Sequence, residues 1–118
     1  MPSDLPGHAA AQRGIDRWQL PAQLEYAREV VRPDQASSFN RAIGIARNIP
    51  GGTAQHGEAQ QLMQQWSNSI FEIAQRRASQ NQLGLAIAAA RLVPPDMPAY
   101  GAAQAAIADW QPRLNQTP

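Results

Sequence analysis

Residues 39–70, FNRAIGIARNIPGGTAQHGEAQQLMQQWSNSI, and residues 83–114, LGLAIAAARLVPPDMPAYGAAQAAIADWQPRL, align without a gap at a constant offset of 44. Ala42/Ala86, Ile43/Ile87, Ala46/Ala90, Arg47/Arg91, Pro50/Pro94, Ala59/Ala103, Gln60/Gln104 and Trp66/Trp110 are identical pairs. Phe39/Leu83, Ile49/Val93, His56/Tyr100, Met63/Ile107 and Ile70/Leu114 keep similar size or chemistry between them. With 22 alanines in 118 residues, matched alanines carry little weight, but matched Trp, Pro and Arg are not explained by composition. Self-similarity at a fixed period of this length is the signature of a stacked repeat.

Within each copy the apolar spacing is helical. His56, Ala59, Met63, Trp66, Ile70 and Ile73 step by three and four residues, as do Tyr100, Ala103, Ile107, Trp110 and Leu114, so each set lines one helix face. Phe39, Ala42, Ala46 and Ile49 form a second stripe, echoed by Leu83, Ala86, Ala90 and Val93. Pro50 and Pro94 are expected to close these helices, because proline lacks the donor of the next rung and disfavours helical geometry before it. Ser79 followed by Gln82 has capping-box spacing, and Asp34 or Ser37 offers the equivalent cap one repeat earlier. The spacing predicts helices near 6–18, 21–32, 35–49, 54–77, 80–93 and 98–111, with a frayed tail after Pro112. A partial third copy opens the chain: His8, Ala11, Gln12, Ile15 and Trp18 match His56, Ala59, Gln60, Met63 and Trp66. The expected organisation is one helical-repeat domain, with a partial repeat at 4–35 and full repeats at 36–78 and 79–114, read as a fragment of a larger protein.

Composition narrows the possibilities further. Leu, Ile, Val and Phe supply 21 of 118 residues, below the share at which disorder becomes a competing reading, but the net charge of only +1 argues against disorder. Much of the apolar content is instead alanine, so the core must be thin, with closely approaching helices and a few large side chains between them. Zero cysteines exclude a disulfide framework, a thiolate metal site and a cysteine nucleophile. No apolar run approaches the roughly 20 residues of a membrane span. The opening residues lack the basic start and apolar stretch of a secretory signal, which points to a cytoplasmic setting. Nine acidic residues interspersed with ten arginines leave no basic stripe for nucleic acid.

The pattern Ala-x-x-Ile-Pro-x-x-x-Pro-x-Tyr-x-x-Ala-Gln-x-x-Ile-x-x-Trp resembles the tandem helical repeat of many poorly characterised cyanobacterial proteins. It is carried by Ala46, Ile49, Pro50, Ala59, Gln60, Met63 and Trp66, and by Ala90, Val93, Pro94, Pro98, Tyr100, Ala103, Gln104, Ile107 and Trp110. It covers about two thirds of the chain and departs from the family where Gly-Ser-Pro is usual, since Gly52-Thr53-Ala54 and Asp96-Met97-Pro98 stand there. The resemblance implies a repeat module without a settled activity. The fold class expected is all-α, antiparallel helical hairpins in tandem, either solenoid-like or a compact bundle.

Each candidate residue has a structural and a functional reading. Trp18, Trp66 and Trp110 are expected to fill gaps between alanine-rich helices, Trp66 with Pro50 and Trp110 with Pro94 as a recurring clamp; exposed, they would form an aromatic ladder for a ligand. Gln12, Gln60 and Gln104 lie at the stripe edge, where an amide can serve carbonyls left unpaired at the preceding helix end. Arg47 and Arg91 fall in the last turn before a proline, favoured there by the helix dipole and expected to pair with Glu58 or Asp109, or else to grip an acidic partner. His56 and Tyr100 share one repeat position, as does His8, which suggests packing by an aromatic-sized side chain. Ser37 and Ser38 read as caps. Neither a metal-ligand spacing nor a nucleophile with a base partner emerges, so no catalytic residue, metal or cofactor is expected. A non-catalytic protein-interaction or scaffolding module follows as the expected function, with an arginine-bearing nucleic-acid array (Arg13, Arg17, Arg28, Arg32, Arg41, Arg76 and Arg77) as the alternative. Self-association through the N-terminal hairpin, centred on Ile15 and Trp18, is expected because the array opens in mid-repeat.

Overall fold

The computed structural model describes residues 20–116, and among them every regular element is a helix. Residues 20–30 are helical (α1), followed by α2 (Ala36–Arg47), α3 (Ala54–Ser79), α4 (Leu83–Ala90) and α5 (Tyr100–Asn115). Each helix from α2 onward packs on the next, and α3 also touches α5. The protein is an all-α helical bundle, as its periodicity predicts. The helix expected near 21–32 is present over 20–30 of the described residues, with Pro21 in its first described turn.

One hydrophobic core runs through all five helices. Burial recurs at the sequence offset of 44: Phe39 and Leu83, Ala42 and Ala86, Ile43 and Ile87, Ala46 and Ala90, Ile49 and Val93, Ala59 and Ala103, and Trp66 and Trp110 are all buried. The alanines let helix axes approach closely while each indole fills the remaining space, the arrangement that a thin core requires. The turns repeat as well. Asn48 N donates to Ile45 O, Ile49 N to Ala46 O and His56 N to Thr53 O; displaced by 44, Leu92 N donates to Ala89 O, Val93 N to Ala90 O and Tyr100 N to Met97 O.

Helix ends depart from expectation in instructive ways. Ser79 does not begin α4. It is the last residue of α3, its hydroxyl donating to Arg76 O at 2.7 Å. Asn81 adopts φ 63°, and Asn81 N and Gln82 N donate to Ala78 O (3.0 Å) and Arg77 O (2.8 Å). That pair of bonds is a Schellman motif with asparagine at the left-handed position, so α3 stops there and α4 starts only at Leu83. Neither Asp34 nor Ser37 caps α2; Gln35 occupies the N-cap without a side-chain bond. The buried Ser38 hydroxyl instead accepts from Arg32 N at 2.7 Å and has Gln35 O at 2.7 Å as an acceptor, stapling the α1–α2 turn. The tail expected to fray after Pro112 is helical to Asn115. Pro112 removes one rung, but Arg113 pairs with Asp109 at 3.3 Å and half-buried Leu114 packs on the core.

Candidate functional site

One side of α2 meets the segment that follows α4. Asn40 of α2 donates its amide to Leu92 O at 2.8 Å, beyond the end of α4. Arg47, the last residue of α2, reaches the loop between α4 and α5, where its guanidinium forks onto Asp96 at 2.6 and 3.1 Å. Between these two links runs an open groove of about 340 Å³, lined by Ile43, Gly44, Arg91, Val93, Pro94 and Pro95 together with Asn40, Arg47 and Leu92. Gly44 leaves its wall clear, since no atom lies within 4 Å of where a Cβ would stand.

The expected partners of Arg47, Glu58 and Asp109, are corrected here: Glu58 pairs with Arg28 and Asp109 with Arg113. The reason is topological, because α2 runs beside the following hairpin and its C-terminal side chain meets that hairpin's loop. Two charge-assisted bonds in a fork hold the Asp96 carboxyl below the usual carboxylate range, and the same bonds raise Arg47. Arg91, exposed at the end of α4, lines the same groove and pairs with no carboxylate among the described residues. The structure thus brings the two repeat arginines to one groove, one occupied and one open.

The other candidates are scattered. His56 is half-buried at the start of α3 with Nδ1 3.4 Å from Ile49 O, and Tyr100 at the equivalent place is half-buried against the core. Trp66 and Trp110 are both buried. Trp66 lies twelve residues beyond the start of α3, about 18 Å along its axis, which in an antiparallel hairpin sets it towards the opening turns of α2 and away from exposed Pro50. Pro94 is half-buried in the groove wall. Gln60 is half-buried and Gln104 exposed, and neither serves a helix-end carbonyl. Gln23 and Asn40 do so instead, on Ile45 O and Leu92 O, because they extend from the neighbouring helix and not from the hairpin's own second helix. Trp18 and Gln12 lie outside the described residues, as do His8, Ile15 and the rest of the first helix of the N-terminal hairpin expected to self-associate.

Sequence reasoning passed over Asn40 and Asp96. No local signal marks either, since each acts on a residue about fifty positions away. Among the described residues no cluster of three metal-ligating side chains forms, and no helix is long and apolar enough to cross a membrane. Compared with known proteins, the chain matches no family model, no curated protein and no solved structure.

Proposed function

We propose that the chain is a non-catalytic protein-interaction or scaffolding module, built of the helical repeat it resembles and acting in the cytoplasm. The observation that carries this reading is the groove between α2 and the α4–α5 loop, whose walls are fixed by Asn40 to Leu92 and Arg47 to Asp96 while Arg91 stands open at its rim. Stacked hairpins bury one face on their neighbours and present the remainder as a continuous recognition surface. Arg91 gives that surface a cation for an acidic side chain of a protein partner, and the prolines give it a rigid apolar wall.

Three of the five described arginines of the nucleic-acid alternative are engaged within the chain: Arg28 on Glu25 and Glu58, Arg32 on Glu29 O and Val31 O, and Arg77 on Leu85 O and Asp34 O. That supports a protein partner over a phosphate backbone. Affinity capture from the source organism tests the reading, comparing the wild-type chain with Arg91→Glu. A defined protein retained by the wild type and lost from the variant is the expected result. Capture indifferent to Arg91, or co-purifying nucleic acid released steeply by salt, counts against it. Self-association through the N-terminal hairpin belongs to the same proposal and is read by sedimentation at several concentrations.

A further inference from the structure

The groove beside α2 continues past Leu92, which lines both of its stretches. The second stretch, about 180 Å³, runs between Gln35 and Ser37 at the start of α2 and Ala88 on α4, with Arg77 of α3 in its wall. The walls are α2 on one side and α4 with its following loop on the other, so the chain itself supplies both. Gly44 and Ala88 share one repeat position at the offset of 44; both are exposed and small, and neither closes the groove. Its lining carries Arg47, Arg77 and Arg91 and no carboxylate, although nine acidic residues are spread through the sequence. Asp96 neutralises only Arg47. The half-buried Arg77 guanidinium meets only the carbonyls of Leu85 and Asp34, each at 3.4 Å. A cation partly withdrawn from water without a counter-charge attracts an anion more strongly than an exposed one. Asn40 donates through Nδ2 to Leu92 O and keeps its Oδ1 as an acceptor.

We infer that this groove takes an extended acidic segment of a partner protein, with one carboxylate on Arg77, a second on Arg91, and small apolar residues passing over Leu92 between them. The inference rests on the interaction reading above and gives its partner a chemistry and a spacing. Ser37 in one stretch and Arg47 in the other are ten residues apart on α2, about 15 Å of helix, which four or five extended residues cover. The two carboxylates therefore stand about four residues apart in the partner. An extended chain also brings a free backbone N–H to Asn40 Oδ1, whereas a helix spends its N–H groups internally. A nucleic-acid backbone, charged at every step, does not match a centre made of Ile43, Gly44, Ala88 and Leu92.

The probe is the peptide Gly-Glu-Val-Pro-Val-Glu-Gly, kept extended by its proline and valines and titrated into the nitrogen-15-labelled full chain by NMR. Saturable shifts are expected on α2, α4 and the following loop, with weaker binding when the two glutamates are adjacent and none when both are lysine. Arg77→Gln and Arg91→Gln should each weaken binding about tenfold, and Arg41→Gln, exposed on α2 outside the groove, should leave it unchanged. Gly44→Leu should abolish binding with unchanged circular dichroism, since nothing lies within 4 Å of its Cβ position and the new side chain enters the groove. No saturation up to about 5 mM, equal binding of the lysine peptide, or indifference to Gly44→Leu overturns the inference. A single-stranded oligonucleotide that displaces the peptide from the same residues, or a dimer of the chain abolished by Gly44→Leu, overturns it too, because another occupant then fills the groove. If the peptide fails while Arg91-dependent capture persists, the acidic segment is refuted and the module reading stands.

Discussion

Replacing Trp66 with alanine probes the repeat core at its most exacting point. The indole is 7 % exposed in the middle of α3, and the residues before and after it on the stripe, Met63 and Ile70, are 1 % and 0 % exposed. An aromatic side chain buries about 150–250 Å² on folding, and at about 25 cal/mol per Å² the upper part of that range approaches 6 kcal/mol. Alanine retains part of this, and the cavity relaxes only partly between helices already in close approach, so about 3–5 kcal/mol is the expected loss. Against a typical total of about 5–15 kcal/mol this removes a large share of the stability. Urea unfolding followed by circular dichroism is the suitable assay, because Trp18 and Trp110 would confuse fluorescence. With a slope of about 1–3 kcal/mol/M, the midpoint falls by more than 1 M. A loss under about 1 kcal/mol would mean that the indole is not a core element, and the ligand-ladder reading would return.

Asn81→Ala should cost about 1–2 kcal/mol, because alanine is penalised at φ 63°, while Asn81→Gly should leave thermal stability level or raised. Ser38→Ala removes the acceptor of Arg32 N from a buried turn and should cost about 1–3 kcal/mol in chemical denaturation. The Asp96 carboxyl, followed by NMR, should titrate below about 3.9 and return to that range in Arg47→Ala. Since its folded pKa is depressed, its contribution is present above the unfolded value and is lost as pH falls through the folded one. Both partners are largely exposed, so the pair should contribute less than about 1 kcal/mol.

The hairpins were legible because their information is periodic. Three- and four-residue spacing of Ala59, Met63, Trp66 and Ile70 on one stripe, with Pro50 ahead of it, admits one local structure and one buried side, and the structure has both. Helix ends were less so. Ser79 and Gln82 have capping spacing, yet the left-handed turn at Asn81 decides the boundary, and asparagine's tolerance for that turn does not declare itself in a polar run such as Ser79-Gln80-Asn81-Gln82. Pro112 reads as a stop, but Leu114 gains enough from the core to carry the helix past it. For the candidate site, the two arginines were visible as a repeated pair. Their groove was not, since it arises from α2 lying beside a loop some fifty residues further on, a relation set by stacking geometry rather than by any local motif.

The length of α3 has a kinetic meaning. At 26 residues it outruns α2 with 12 and α4 with 8, packs on both, touches α5, and receives α1 through the Arg28–Glu58 pair. Losing α5 leaves the α2–α3 contact intact, whereas no opening of α3 spares any neighbour. In native-state hydrogen exchange the amides around Met63 to Ile73 should therefore exchange only through whole-molecule unfolding, with those of α5 released earlier by sub-global opening. A protein that reads as a chain of equal repeats would then open as a hierarchy, its last helix before its centre.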